Sequence, residues 1–196
     1  MQGDFIRHAH LTNLAPLIEQ SDVILIGNGI GLHEETRKFC ITLMNKYPNK
    51  LKVVDADAIK MLKLQEVKNA IITPHAKEYE ILLKNSNLSK TSVRNSIDSN
   101  VILKKGRVDI IISKNKIKKI AGGNPGLAKA GTGDVLAGLC AGFLALSKDL
   151  FNSAVAASQL SKEIGNILLK KKQGYSFIAS DMVDEILSLV PNKKNN

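Results

Sequence analysis

Apolar residues along the 196-residue chain fall into two kinds of run that alternate from one end to the other. Short continuous runs are typical of strands covered on both faces of a sheet, and longer runs with helical spacing are typical of amphipathic helices. The short runs predict strands at residues 22–26, Leu51–Val54, Ala70–Ile72, Val101–Lys104, 109–113 and 116–120, the last two forming a hairpin. The longer runs predict helices at residues 11–18, 34–46, 58–64, 135–146, 152–170 and 181–190. Helices that alternate with apolar strands predict a three-layer α/β/α sandwich with a mainly parallel sheet.

The segment 122–134 interrupts this pattern, because it holds five glycines and one proline in thirteen residues. Such a composition supports neither helix nor strand and predicts a loop. The helix predicted after it is apolar on every side, and one of its faces carries only the small residues Gly138, Ala141, Gly142 and Ala145. This pattern predicts a buried helix that packs closely against neighbouring backbone.

The start of this helix is a candidate anion site. The first N–H groups of a helix have no partners within it and carry partial positive charge, and a glycine turn lets a phosphate approach them closely. Asp134 in the first turn is then placed to accept a proton from a hydroxyl group as a general base. The alternative is that Thr132 or Asp134 only caps the helix.

Two better-known phosphate motifs are excluded. A Walker A loop requires lysine and then serine or threonine after its second glycine, but Gly131 is followed by Thr132 and Gly133. The other glycine cluster, residues 27–31, has Leu32 where the third Rossmann glycine would fall. This cluster predicts a strand-to-helix loop at the carboxyl edge of the sheet, where open α/β folds bind ligands.

Two further groups of polar residues follow predicted strands at this edge. Asp55 and Asp57 could hold Mg²⁺ or a ribose hydroxyl, or cap the next helix, and the sequence leaves these alternatives open. Residues 105–109 supply a cation, a glycine and an acid, a suitable border for a nucleotide.

His75 is a third candidate at the same edge. Thr73 and Pro74 predict a helix N-cap followed by proline at the first helical position, which puts His75 at the helix start. An isolated histidine in a first turn more often caps a helix or lies on the surface than takes part in catalysis.

The charge and aromatic content of the chain bear on which ligands it can bind. The chain has 28 Lys and Arg against 18 Asp and Glu, a net charge of +10, but the cations are scattered and only five Phe and three Tyr are available for stacking. We therefore expect attraction of anionic small molecules and no nucleic-acid partner. The two cysteines, Cys40 and Cys140, lie in apolar patterns without paired spacing, which predicts buried free thiols.

The same features predict one domain over residues 1–191 and a disordered tail over 192–196. No apolar run is as long as a membrane span, which takes about 20 residues, and the amino end has no signal-like apolar region. We therefore expect a cytoplasmic protein without a membrane partner.

Two sequence motifs around the glycine-rich loop resemble those of a known protein family. Gly-Asn-Pro-Gly-Leu at 123–127 and Gly-Thr-Gly-Asp-Val-Leu-Ala-Gly at 131–138 resemble the signature of the ADP-dependent NAD(P)H-hydrate dehydratases, a branch of the ribokinase-like superfamily. Five further segments resemble parts of the family's sequence and occur along the chain in the same order as in the family. They are residues 26–31, 53–58, 73–78, 105–109 and 179–181.

The resemblance implies a ribokinase-like fold and a hydro-lyase activity. Such an enzyme uses ADP to convert the (6S) hydrate of NADH or NADPH, here NAD(P)HX, back to the reduced cofactor. The nucleotide phosphorylates the ring hydroxyl, and phosphate is then lost. ADP as phosphoryl donor, accompanying Mg²⁺ and a homo-oligomer are further expectations.

The resemblance also assigns roles residue by residue. Asp134 would be the catalytic base. The NAD(P)HX site would comprise Gly29, Gly31, His75 and Asp134. The ADP site would comprise Lys105, Gly106, Arg107, Val108 and Asp109, with Gly131, Thr132 and Gly133 around the transferring phosphate. No metal ligand is assigned.

The chain departs from the family at several points. Asn28 stands where proline is usual, Lys129 where a small residue is usual and Ala130 where a second glycine is common. The family's opening strand-helix units, with a Tyr-x-Gly-Ala element, have no counterpart before Met1. Either the chain is a truncated product or another chain supplies the missing piece. Two other functions stay open, an ATP-dependent ribokinase-like kinase of small molecules and an inactive relative that binds nucleotide or serves as a subunit partner.

Overall fold

Six strands lie side by side in the order in which they occur along the chain. They are β1 (Val23–Ile26), β2 (Leu51–Val54), β3 (Ala70–Ile72), β4 (Val101–Lys104), β5 (Asp109–Ile112) and β6 (Ile117–Ile120). Neighbours from β1 to β4 are parallel, and β5 and β6 are antiparallel to their neighbours. This computed structural model, which describes residues 5–189, confirms the mainly parallel sheet and the predicted hairpin.

Helices cover both faces of the sheet. They are α1 (Ala9–Gln20), α2 (Glu34–Lys46), α3 (Ala56–Met61), α4 (Ala76–Asn85), α5 (Val93–Ser96), α6 (Thr132–Ser147), α7 (Leu150–Lys171) and α8 (Ala179–Leu189). Short 3₁₀ helices occur at Leu64–Glu66 and Pro125–Ala128.

The described chain has three apolar clusters, and two of them lie on opposite faces of the sheet and show that the helices form two layers, while the third joins α7 to α8. Successive strand residues point to opposite faces, so Val53 packs in one core and Val54 in the other. The core on the Val54 side is built with α1 to α5, and the core on the Val53 side with α6 and α7. The three-layer α/β/α prediction is confirmed.

The position of β1 corrects one prediction. A continuous apolar run predicts a strand covered on both faces, but only Ile26 of β1 is buried. The strand is also at the edge of the sheet, and its one sheet neighbour in the described chain is β2. Leu25 is 41% exposed, whereas its partner Val53 is fully buried. The hydrophobicity of a strand indicates that it is apolar, but it does not predict where the strand lies in the sheet.

The small-residue face of α6 corrects a second prediction. Leu136, Cys140 and Leu144 are buried as expected. Gly138 and Gly142 are exposed, and a Cβ built on either glycine would meet nothing within 4 Å. The small residues therefore do not mark a close contact within the described chain.

Two predicted helix caps are also wrong. Helix α4 is capped by His75 and begins at Ala76, so Thr73 is not its N-cap. Helix α8 begins at Ala179, so Ser180 lies inside it and does not cap it. The predicted end of this last helix at residue 190, the stop at Pro191 and the tail 192–196 lie outside the described residues.

Both cysteines are buried free thiols, as predicted. Burial raises the pKa of Cys40 and of Cys140 to about 12. Within residues 5–189, no helix combines the length and the apolar character that crossing a bilayer requires.

Lys52 is a polar residue in the middle of the fold. Its side chain is fully buried in β2, and its ammonium donates to the carbonyls of Pro48, Lys50 and Lys68. Burial lowers the pKa of Lys52 to about 8. The charged form of Lys52 is therefore less favoured in the folded protein than in water, despite its three acceptors.

This burial predicts a pH-dependent stability. Between pH 8 and 10.5 the unfolded chain keeps the Lys52 proton that the folded protein has lost, so the free energy of unfolding rises with pH in this window. Relative to Lys52→Met, wild type should gain about 2 kcal/mol between pH 8 and pH 10. Urea unfolding of both proteins across this range measures the difference. The exposed control Lys68→Met should follow wild type, and parallel curves for wild type and Lys52→Met would contradict the prediction.

Candidate active site

The glycine-rich loop before α6 is held by its own polar side chains. The Gly126 N–H donates to Oδ1 of Asn124 at 2.9 Å. The Thr132 hydroxyl lies 2.6 Å from the carbonyl of Leu127 and 2.8 Å from that of Lys129. Because this hydroxyl points back into the loop, Thr132 does not cap α6, and the capping alternative is wrong for this residue.

The amino end of α6 is open. Its N-cap position is Gly131, with φ of 84°, and no side chain accepts a capping bond there. The backbone N–H groups of Gly133 and Asp134 donate to no group in the described part of the chain. Unpaired N–H groups and the helix dipole leave this end electropositive and suited to an anion.

Lys105 adds a full positive charge at this end. The backbone N–H of Lys105, which directly follows β4, donates to the Pro74 carbonyl at 2.8 Å. Its Nζ lies 3.4 Å from the position that a Cβ on Gly133 would take. The ammonium and the open N–H groups therefore face the same small space.

Asp55 is the buried centre of the site. Its Oδ1 accepts from the Thr73 hydroxyl at 2.7 Å and from Lys105 Nζ at 2.9 Å, and its Oδ2 accepts from Asn28 Nδ2 at 2.9 Å. The Asp55 side chain makes no capping bond to α3, so that alternative is wrong. Its carboxylate is instead occupied by three donors from the protein.

Asp57 supports the loop that follows β1. Its Oδ2 accepts from the Gly31 N–H at 3.0 Å, and its Oδ1 accepts from Lys60 Nζ at 2.8 Å. Gly29 and Gly31 both adopt positive φ, 66° and 75°, and space is open beside each. This leaves backbone without side chains at the sheet edge.

Asn28 brings this loop to Asp134. Its Nδ2 lies 2.5 Å from Asp134 Oδ1, in addition to its bond to Asp55. Asp134 itself is exposed, and no group in the described chain donates to its Oδ2. One carboxylate oxygen of Asp134 is therefore held, and the other faces solvent.

His75 occupies the cap of α4, which is the non-catalytic alternative from the sequence. Its Nδ1 accepts from the N–H groups of Lys77 and Glu78, and its Nε2 lies 3.4 Å from Glu78 Oε1. The side chain remains 51% exposed, so its ring still has a solvent-facing edge.

The segment 105–109 divides into exposed and buried parts. Gly106, Arg107 and Val108 are exposed at the sheet edge. The Asp109 carboxylate is buried and accepts from the Gly106 N–H and from the Ser158 hydroxyl, with Lys162 Nζ at 3.4 Å. Asp109 therefore holds the turn, and its side chain is not directed at the edge.

Lys129, one of the departures from the family pattern, is directed away from the open helix end. Its ammonium donates to the carbonyls of Tyr175 and Phe177, and it lies 5.6 Å from the centre of the Phe177 ring. The lysine ties the glycine-rich loop to the segment before α8.

A cavity of about 320 Å³ is lined by Leu32, Arg37, Lys60, Met61, Lys63 and Asn85, none of them a predicted site residue. Across residues 5–189, no group of three or more His, Cys, Asp or Glu side chains could hold a metal ion.

The sequence does not assign the roles of Asp55 and Asn28. Asp55 is an acid at a strand end in the sequence, but its partners Thr73 and Lys105 follow later strands. Asn28 differs from the family pattern, and that difference alone does not indicate its partners. Its position between two glycines of the first loop is the signal that could have indicated a role.

Several known proteins are similar to this chain in sequence or in fold. The profile of a family described as NAD(P)H-hydrate dehydratase matches residues 5–188. The bifunctional NAD(P)H-hydrate repair enzyme Nnr of Methanocaldococcus jannaschii is 35% identical over 189 residues, which are 95% of this chain and 37% of that protein. The ADP-dependent (S)-NAD(P)H-hydrate dehydratase of Listeria monocytogenes is 30% identical over 189 residues, covering 93% of this chain and 67% of that protein.

Among solved structures, a ribokinase-like superfamily protein of Enterococcus faecalis superposes with a TM-score of 0.79 at 25% identity. The match covers 93% of this chain and 67% of that chain. The chain thus spans about two thirds of the Listeria and Enterococcus proteins and under two fifths of the bifunctional relative. Because the family profile matches residues 5–188 of the 196-residue chain, the chain belongs to the NAD(P)H-hydrate dehydratase family.

Proposed function

We propose that this protein is an ADP-dependent dehydratase that restores NADH or NADPH from the (6S) hydrate. One observation carries the proposal: the Asp134 carboxylate and the Lys105 ammonium both lie at the open amino end of α6. The names of the relatives support the same activity, because they are NAD(P)H-hydrate repair enzymes and an ADP-dependent dehydratase. The family match favours this activity over a small-molecule kinase.

The first step is transfer of the terminal phosphoryl group of ADP to the ring hydroxyl of the hydrate. Asp134 takes the hydroxyl proton, an oxygen–phosphorus bond forms, and the bond from phosphorus to AMP breaks. The phosphate then leaves with the carbon–oxygen electron pair, and loss of a ring proton restores the reduced nicotinamide. The products are AMP, phosphate and NAD(P)H.

The amino end of α6 would stabilise the charge on the phosphoryl group during transfer. Phosphoryl transfer needs mainly positioning and electrostatic stabilisation. The N–H groups of Gly133 and Asp134 supply donors, and the Lys105 ammonium supplies a cation beside them. The exposed residues Gly106, Arg107 and Val108 follow Lys105 directly and would border the rest of the nucleotide.

The hydrate would lie along the glycine loop after β1. Gly29 and Gly31 present backbone without side chains, and Asn28 joins this loop to Asp134. His75 would contact the hydrate through the exposed edge of its ring while it caps α4.

Mg²⁺ fits this site only as a companion of the nucleotide. The Asp55 oxygens are taken by protein donors, and Asp134 Oδ2 is the oxygen that would face the substrate hydroxyl. Mg²⁺ usually keeps several waters and binds substrate phosphates, so here it would be held mainly by the phosphates of ADP. Bound there, the ion would neutralise phosphate charge.

Turnover tests the proposal directly. The 196-residue chain is incubated with NADHX and ADP, and the absorbance of NADH is followed. Appearance of NADH that requires ADP supports the dehydratase. Turnover of ATP with sugars or hydroxymethylpyrimidine, and none of NADHX, would instead support the kinase. Binding of ADP without any turnover would support the inactive relative.

Lys105 provides a sharper test of the anion site. Lys105→Met should raise the ADP concentration for half-maximal rate by about 10-fold to 100-fold, because a charge-assisted hydrogen bond contributes roughly 1.5–3 kcal/mol. The control is Lys104→Met, whose ammonium instead lies over the Tyr79 ring at 5.0 Å. Equal ADP dependence in the two variants would contradict the placement of phosphate beside Lys105.

A further inference from the structure

The side-chain amide of Asn28 lies between two carboxylates. Its Nδ2 is 2.9 Å from Asp55 Oδ2 and 2.5 Å from Asp134 Oδ1. A primary amide has two N–H bonds, so this one nitrogen can donate to both carboxylates at once. Hydrogen bonds of this kind, with an ionised acceptor, are stronger than neutral ones.

The Asp55 end of this bridge is rigid. Asp55 is buried, and its other oxygen accepts from the Thr73 hydroxyl and from Lys105 Nζ. Asn28 is therefore attached to a group that cannot turn away, whereas Asp134 is exposed on its solvent side.

The backbone beside Asn28 is fixed as well. The Asp55 N–H donates to the Ile26 carbonyl at 3.0 Å, and the Asp57 N–H donates to the Gly27 carbonyl at 3.1 Å. The two carbonyls that immediately precede Asn28 thus accept from Asp55, directly after β2, and from Asp57 in the first turn of α3. The amide has little freedom other than rotation of its own side chain.

We propose that Asn28 is a positioning residue, which holds the carboxylate of Asp134 at a set place relative to Lys105 through their common partner Asp55. The amide keeps Asp134 Oδ1 bonded and leaves Oδ2 directed at the substrate hydroxyl. Without it, nothing in the described chain would hold that carboxylate, and repulsion from Asp55 would favour rotation into solvent. The inference rests on the proposed function.

Kinetics separates positioning from a general structural role. Asn28→Leu keeps a similar volume and removes both donors. It should lower kcat by about 10-fold to 100-fold and leave the KM for ADP within about twofold, because Asp55 still binds Lys105. Asp55→Asn should lower kcat and also raise the KM for ADP, because it weakens both attachments. The exposed hairpin variant Asn115→Leu should match wild type in both constants.

A spectroscopic readout keeps the test independent of turnover. In ¹⁵N-labelled protein, the side-chain amide signals of Asn28 are assigned by their loss in Asn28→Leu. They should shift in both Asp134→Ala and Asp55→Asn and stay unchanged in Asn115→Leu.

The two readouts distinguish two failures. If wild type does not convert NADHX, the proposed function fails, and the amide signals alone decide whether Asn28 bridges the carboxylates. If wild type is active but Asn28→Leu keeps its kcat, or if the amide signals do not respond to Asp134→Ala, the inference is overturned. An equal rise of KM for ADP in Asn28→Leu and Asp55→Asn would also overturn it.

Discussion

Asp134→Asn should lower kcat for NADHX repair by about 10²-fold to 10⁴-fold, the usual range for loss of a general base. Asparagine keeps an oxygen that can accept from Asn28 Nδ2, so the geometry of the loop should survive. It cannot take the hydroxyl proton. The loss should therefore fall on kcat, and ADP should bind at least as tightly because one negative charge near its phosphates is gone.

Two measurements check this result. The rate is followed through the absorbance of NADH, and ADP affinity is measured by isothermal titration calorimetry on the same preparations. Glu163→Gln, an exposed acid on α7, is the control for removal of a negative charge elsewhere. A kcat within about threefold of wild type in Asp134→Asn would contradict the role of Asp134 as the base.

Gly27→Ala should have the largest effect on stability. Gly27 has φ of 132°, a conformation that other residues rarely adopt, and a Cβ there would lie 1.7 Å from the Asp55 carbonyl oxygen. That oxygen belongs to the backbone, so it cannot move aside as a side chain could. We expect the free energy of unfolding to fall by about 3–5 kcal/mol. For a chain of this length that corresponds to a melting temperature lower by roughly 10 °C.

Gly29→Ala is the matched control, two residues further along the same loop. Gly29 also has positive φ, 66°, but a Cβ would meet nothing within 4 Å. Only the conformational cost remains there, about 1–2 kcal/mol. Urea and thermal unfolding of both variants give the comparison, and equal losses would show that the close approach to Asp55 carries no cost.

The order of strands and helices could be predicted because each depends on local pattern. Apolar runs such as Leu51–Val54 and Ala70–Ile72 are strands in the structure, and the helix after the glycine-rich loop begins three residues before its predicted start. The positions of the glycine loops could also be predicted, because the loops that follow parallel strands all lie at the carboxyl edge of the sheet.

Partners across the site could not be predicted in the same way. Asn28 lies 106 positions from Asp134 and 27 from Asp55, and nothing local to any of the three indicates a shared hydrogen bond. Asp57 shows the same limit, because a cap, a metal ligand and a loop brace all suit one acid after a strand. In the folded chain Asp57 supports the loop, because the Gly31 N–H lies 3.0 Å from its Oδ2.

The sequence by itself determined an alternating α/β chain, a phosphate-type glycine loop before an apolar helix and the family to which these motifs belong. These depend on residues that are close along the chain, where periodicity and backbone conformation act. Tertiary structure alone decided that β1 is an edge strand, that the small face of α6 is exposed and that Asn28 joins Asp55 to Asp134. Each of these results from which segments pack side by side, and that is set by the whole sheet and its two cores.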